Sequence, residues 1–231
     1  KYKLLGGLMK NRTLVKLSAG TLKVLRKIGV NNLVPSGMIP QEFTREQYLA
    51  SFKGPGALGS GALAPRVILS DKSKIAYFKG CGMSMMFPDA VEETMNILKS
   101  LTNPLLLNNA CCGLPHLAHG MRSDFLDMAK ENILLFEKAD IIVSDCASCS
   151  GTLKHMSSYF TDEPVWRERA LAFSQKIMGL SEYLFQAGYK PRNQVTAKLT
   201  FHEPCHLGRG QGIQNQPRQL LKCTGNYVEM A

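Results

Sequence analysis

The sequence predicts an α/β fold in which βαβ units build a parallel sheet. Two observations carry this. Short apolar runs of strand length alternate with longer amphipathic runs of helical length from about residue 75 onward. Three of the short runs each lead within a few residues into a cysteine group, which places the cysteines past the carboxyl ends of strands.

Taken in order, the first element precedes this pattern. Eight Lys and Arg, from Lys1 to Lys27, stand among the first 30 residues without a single acid, and they account for most of the net charge of +10. Leu14, Leu17, Leu22 and Leu25 fall between them at roughly helical spacing. Such a helix suits an anionic membrane surface or an acidic partner, and equally a packing role with one solvated face. A basic, acid-poor transit segment has the same composition. The remainder of the chain is close to neutral, so the basicity is confined to one end and does not mark a nucleic-acid partner. Residues 31–74, with Pro35, Pro40, Pro55, Pro65 and the Gly-rich run from Gly54 to Gly61, read as a connector. The chain starts on Lys1, as a piece of a longer protein would.

Ile75 to Phe78 reads as a strand running into Cys81. Pro88 to Leu101 reads as a helix, with proline at its start and Val91, Met95 and Leu98 along one face. Leu105 to Leu107 reads as a second buried strand ahead of Cys111 and Cys112. Ser123 to Phe136 reads as a helix, and Ile141 to Val143 as a third strand leading into Cys146 and Cys149.

Five of the seven cysteines therefore gather at three consecutive strand ends. An adjacent pair and a Cys-Ala-Ser-Cys make a poor disulfide framework, since neighbouring cysteines bridge only with strain. The same set suits soft thiolate ligation of iron or zinc. Seven is also an odd count, and no signal-like segment precedes the set, which favours a reducing, cytoplasmic setting. No apolar run approaches the ~18 residues needed to span a bilayer. Met83, Met85 and Met86 beside Cys81 suggest a soft apolar cover over the site. His116, His119 and His155 follow the cysteine groups and read as neighbours rather than ligands, because five thiols are already at hand. Cys223 falls within a helical run and matches no ligand position.

A weaker internal repeat is visible. Phe201-His202-Glu203-Pro204-Cys205 parallels Tyr77-Phe78-Lys79-Gly80-Cys81, and a Pro-containing helix and a strand-like run (Asn226 to Glu229) follow. The interval from Cys81 to Cys111, repeated from Cys205, passes beyond Ala231, so the second unit reads as truncated.

Cys81, Cys111-Cys112-Gly113 and Cys146-Ala147-Ser148-Cys149 resemble the cysteine-rich CCG domain of heterodisulfide reductases and of glycolate- and lactate-oxidase iron-sulfur subunits. His202 to Gly210, with Gln216-Pro217-Arg218, resembles the opening of a second such domain. The likeness spans residues 75–231 and is closest to the glycolate and lactate type. The division it implies is residues 1–74 as basic helix and connector, 75–197 as a first CCG domain, and 198–231 as the start of a second. It implies a [4Fe-4S] cluster, of cubane or noncubane form, on Cys81, Cys111, Cys112, Cys146 and Cys149. Cys205 would be the first ligand of a second, incomplete site. Gly113 would let backbone pass close to the cluster.

The function implied is that of an electron-transfer subunit, itself without a catalytic site. An FAD-dependent 2-hydroxy acid dehydrogenase would feed it, and a quinone or other acceptor, with the chain peripheral to a membrane, would take the electrons. The alternatives are a heterodisulfide reductase-like module that cleaves a disulfide at a noncubane cluster, and a domain stabilised structurally by zinc on its thiolates.

Overall fold

A computed structural model of the chain describes residues 73–230. The basic helix and nearly all of the connector expected over residues 1–74 lie outside the described residues.

Strands β1 (Ile75–Tyr77), β2 (Ile141–Ser144) and β3 (Ile177–Gly179) form one parallel sheet in that order. Their residues are buried on both faces, which accounts for their unbroken apolar character. Alternate side chains sort to opposite faces. Ala76, Phe78, Ile142 and Ile177 meet Phe125, Met128 and Ile133 of helix α4 (Arg122–Leu135), Leu153 of α5 (Ala147–Lys154) and Phe173 of α6 (Pro164–Ser174). On the other face Ile75, Tyr77, Ile141, Val143 and Met178 meet Leu98 of α2 (Pro88–Leu101) and Tyr183 and Leu184 of α7 (Leu180–Gln186). Each large side chain buried in this way contributes roughly 1.5–3 kcal/mol. The result is three layers, helix on sheet on helix.

The helices begin where the sequence signals them. Pro88 stands in the first turn of α2, with Asp89 beside it and Lys99 in the last turn, complementing the helix dipole. α6 likewise opens on Pro164. Two short helices adjoin the cysteines: α1 (Cys81–Met86) and α3 (Leu114–Ala118).

One expectation is corrected. Leu105 to Leu107 is not a buried strand. Leu105 makes a single parallel bridge to Ala76, its N–H bonding the Ile75 carbonyl at 2.7 Å, while Leu106 is 68% exposed. This segment runs along the outer edge of β1, and Pro104 has no N–H to extend the ladder. Of the methionines of α1, Met83 is half-buried, its Cγ 3.4 Å from where a Gly80 Cβ would sit, beside Cys146 and Cys149, while Met86 turns outward. α1 has no fully buried residue, and Met86 is 58% exposed.

The two segments read as a repeat share local backbone features. β4 (Val195–Leu199) pairs in parallel with β5 (Gly225–Tyr227), and between them lie α8 (Cys205–Gln211) and α9 (Asn215–Thr224). Cys81 opens α1 after Gly80 at φ −65°, ψ 133°, and Cys205 opens α8 after Pro204 at φ −67°, ψ 134°. The Leu105 bridge to β1 answers to the β4–β5 pairing. α9 packs on α7, with Leu220 against the second core, so this half rests on the first while β4 stays exposed.

Candidate metal centre

Because the sheet is parallel, β1 and β2 end on the same edge, and the turns beyond them bring the cysteines together. Cys81 starts α1 after β1, and Cys146 is the residue before α5, just past β2. Cys111 and Cys112 lie between the Leu105 bridge and α3, with Gly113 immediately before that helix. All five cysteines expected as ligands meet here. Cys111, Cys112 and Cys149 are 5%, 3% and 4% exposed, and Cys81 and Cys146 are half-buried.

The sulfurs lie close together. Cys81 Sγ lies 3.3 Å from Cys111 Sγ, and Cys112, Cys149 and Cys146 are near enough to shift one another's protonation. Hydrogen bonds from Cys111 and Cys149 favour the thiolate of Cys112 despite its burial. Cys146 is lowered to about 6 by the Cys149 thiol and then by the Cys149 and Ser148 N–H groups at the start of α5. Cys81 is pushed far up by its bond to Cys111 and by burial, Cys111 by donating to Cys112, and Cys149 by donating to Cys112 and Cys146. The thiolate form is thus favoured at Cys112 and Cys146 and disfavoured at the other three, and ligation would release the protons that remain. Among the described residues, no group of three or more His, Cys, Asp or Glu is arranged to hold a single metal ion.

The turns that carry the thiols are fixed by residues that sequence reading did not single out. Asn109 Nδ2 donates to the Lys79 and Ala110 carbonyls at 2.9 Å, and its Oδ1 accepts the Lys79 N–H at 3.1 Å. It ties the approach to Cys81 to the approach to Cys111. Asn132, fully buried in α4, accepts the Ala110 N–H at 3.1 Å and donates to the Cys111 carbonyl at 2.9 Å. A signal for it existed: Phe125, Met128, Ala129, Asn132 and Ile133 are the buried stripe of α4, and Asn132 is its one amide. Replacing Asn132 by Leu strands a buried N–H and a buried carbonyl and is expected to cost about 2–4 kcal/mol. Chemical denaturation against the parent checks it.

Asp145, next to Cys146, accepts a hydrogen bond from the Tyr77 hydroxyl at 2.6 Å and a longer one from Thr94 at 3.4 Å, which anchors this turn to β1 and α2. Burial raises both the Asp145 carboxyl and the Tyr77 phenol. Gly80 allows a close approach: a Cβ there would lie 3.1 Å from Cys146 Cβ and 3.5 Å from Cys149 Sγ. Gly113 meets a packing constraint of its own. It takes φ 86°, and a Cβ would fall 2.5 Å from the ring of Phe125, so the space it leaves is filled by that ring. The Gly113 and Leu114 N–H groups do reach the sulfurs of Cys111 and Cys112.

Cys205 and Cys223 stand apart from the five and are exposed. His116 is 2% exposed, in α3 behind the vicinal pair.

The family model for the cysteine-rich domain, CCG, matches residues 75–154, the span that holds all five thiols. These residues are a CCG domain. The chain carrying it is similar to the probable glycolate oxidase iron-sulfur subunit of Bacillus subtilis, 30% identical over 158 residues that cover 65% of this chain and 36% of that protein. It is also similar to lactate utilization protein A of an Exiguobacterium species, 32% identical over 64% of this chain and 62% of the relative. A third relative is a subunit of the fumarate reductase (CoM/CoB) of Methanothermobacter marburgensis, 29% identical over 68% of this chain and 31% of the relative. The chain thus spans less than two thirds of the length of each. No solved structure matches it.

The donors in the CCG domain fit an iron-sulfur cluster. Five soft thiols converge, three of them shielded from water, and backbone N–H groups reach at least three of the sulfurs.

Proposed function

We propose that this chain is an iron-sulfur electron-transfer subunit. It would be reduced by an FAD-dependent dehydrogenase acting on a 2-hydroxy acid such as glycolate or lactate, and would pass electrons to a quinone or another acceptor. The observation that carries this reading is the meeting of all five CCG cysteines at one sheet edge. The glycolate and lactate names of two relatives support the substrate class.

Cys81, Cys111, Cys112, Cys146 and Cys149 would hold a [4Fe-4S] cluster, of cubane or noncubane form. Such a cluster accepts and releases one electron at a time, and so splits the two-electron step of a flavin. Five soft thiols, one more than a tetrahedral zinc site takes, suit a cluster of several irons. Cys111, Cys112 and Cys149 would shield the inner side from water, while half-buried Cys81 and Cys146 would face the side from which electrons enter or leave. Asn109 and Asn132 would hold the ligand turns at fixed separation, limiting rearrangement on reduction. The division is residues 75–197 as one CCG unit and 198–231 as the beginning of another, with Cys205 as first ligand of its site. No helix among the described residues is long and apolar enough to cross a membrane, and the membrane contact in this reading is peripheral.

The chain, reconstituted anaerobically with iron and sulfide, is expected to take up one electron from photoreduced flavin and to show a paramagnetic signal by EPR. A chain that remains silent at every stage of that titration overturns the electron-transfer role.

A further inference from the structure

α5 and α8 are the helices associated with Cys146-Ala147-Ser148-Cys149 and with Cys205, and they pack together. Their polar contact centres on one side chain. Gln211, the last residue of α8, donates through Nε2 to the Ala147 carbonyl at 2.9 Å and to Ser150 Oγ at 3.1 Å, both on α5. The same nitrogen lies 2.9 Å from the His206 carbonyl of its own helix, so its two protons are shared among three acceptors. Ser150 Oγ stands 3.3 Å from Gln211 Oε1 and 3.2 Å from the Ala147 carbonyl, so the hydroxyl closes the network from the other side. Ser150 is fully buried and flanks Cys149, and Ala147 flanks Cys146. The Gln211 amide also lies over the bare backbone of Gly151, where a Cβ would sit 3.4 Å from Nε2. Nearby, Ile213 is 3% exposed beside Gly179 at the end of β3, giving the contact an apolar floor.

We propose that Gln211 is a positioning residue that clasps the first turn of α5 to α8, so that Cys146 and Cys149 are held in place by the half of the chain that carries Cys205. A neutral amide suits this task. It offers donors to a carbonyl and a hydroxyl and an acceptor back to that hydroxyl, without bringing a full charge beside the thiolates. The geometry also joins the two cysteine-bearing helices into one body. Loosening α8 would loosen the two ligands on α5 and leave those on the Asn109 and Asn132 turns fixed.

The test uses the full chain in two states. In the metal-free, reduced chain, alkylation of each cysteine by iodoacetamide is followed by mass spectrometry for the parent and for Gln211→Met. Reaction of a buried thiol requires local opening. Loss of the clasp is expected to speed alkylation of Cys146 and Cys149 roughly three- to tenfold, with a smaller change at Cys112, whose thiolate Cys149 supports, and none at Cys81 and Cys111. Unchanged rates at Cys146 and Cys149, or an equal rise at all five, would overturn the proposal. Ser150→Ala, which removes only the hydroxyl, is expected to move the same two cysteines by a smaller factor, and it decides the matter if Gln211→Met does not fold. In the iron-loaded chain, a readout that rests on the cluster reading above, the EPR line shape should change at unaltered iron content. A chain that cannot be loaded but shows the selective alkylation pattern would refute the cluster and leave the clasp standing. A chain that loads iron with no selective change would refute the clasp alone.

Discussion

Replacing Cys111 or Cys112 by Ser is expected to lower bound iron by roughly tenfold and to remove the visible absorption of a cluster, while the fold survives. Cys111 Sγ lies 3.3 Å from Cys81 Sγ, Cys112 is its neighbour in the chain, and both are nearly inaccessible to water. Serine keeps the volume but puts a hard oxygen, protonated near neutral pH, where a soft thiolate is needed. Far-UV circular dichroism should match the parent, which separates loss of ligation from loss of structure. Cys223→Ser is the control. That residue is exposed on α9 and stands apart from the five, so iron content should not change. Equal loss of iron in Cys223→Ser and Cys111→Ser would show that the five-thiol assignment is wrong.

Gly113→Ala is expected to destabilise the chain by about 2–4 kcal/mol. Two independent costs combine. The backbone at φ 86° lies in the left-handed region, where a β-carbon adds roughly 1–2 kcal/mol of strain. That β-carbon would also meet the Phe125 ring at 2.5 Å. The ring cannot easily retreat, being fully buried and packed edge-on to Tyr159 at 4.9 Å between centroids. A thermal midpoint lowered by roughly 5–15 °C is the corresponding readout for a chain of this size. A midpoint within a degree of the parent would mean that the turn after Cys112 relaxes freely and does not hold the pair in place.

What the sequence made legible is what it encodes locally. Pro88 at a helix start and apolar residues spaced along one face placed α2 at the boundaries observed. Unbroken β-branched residues placed β2, and its carboxyl end then located Cys146. Given a parallel sheet, the meeting of the five thiols followed without side-chain detail. The membership of residues 75–154 in the CCG family was legible in the same residues.

What was not legible depends on partners distant in the chain. Three leucines in a row look like a strand, but only Leu105 finds a partner, because Pro104 lacks a donor and the segment lies on the edge of the sheet. β3 is three residues, too short to show a period, and is a strand because β2 offers it an edge. Asn109, Asn132 and Gln211 are polar residues whose spacing in sequence says nothing of the backbone groups they bond, 21 to 64 positions away. Gly113 could be recognised as a turn residue, while the ring that fills its space could not.

The central claim is that the five CCG cysteines hold an iron-sulfur cluster, and metal and sulfide content tests it most directly. The chain is purified without exposure to oxygen, and iron, acid-labile sulfide and zinc are measured per polypeptide. The account predicts about four irons with a comparable amount of sulfide and negligible zinc. About one zinc per chain, with no labile sulfide, would contradict it and assign the five thiols a structural role instead.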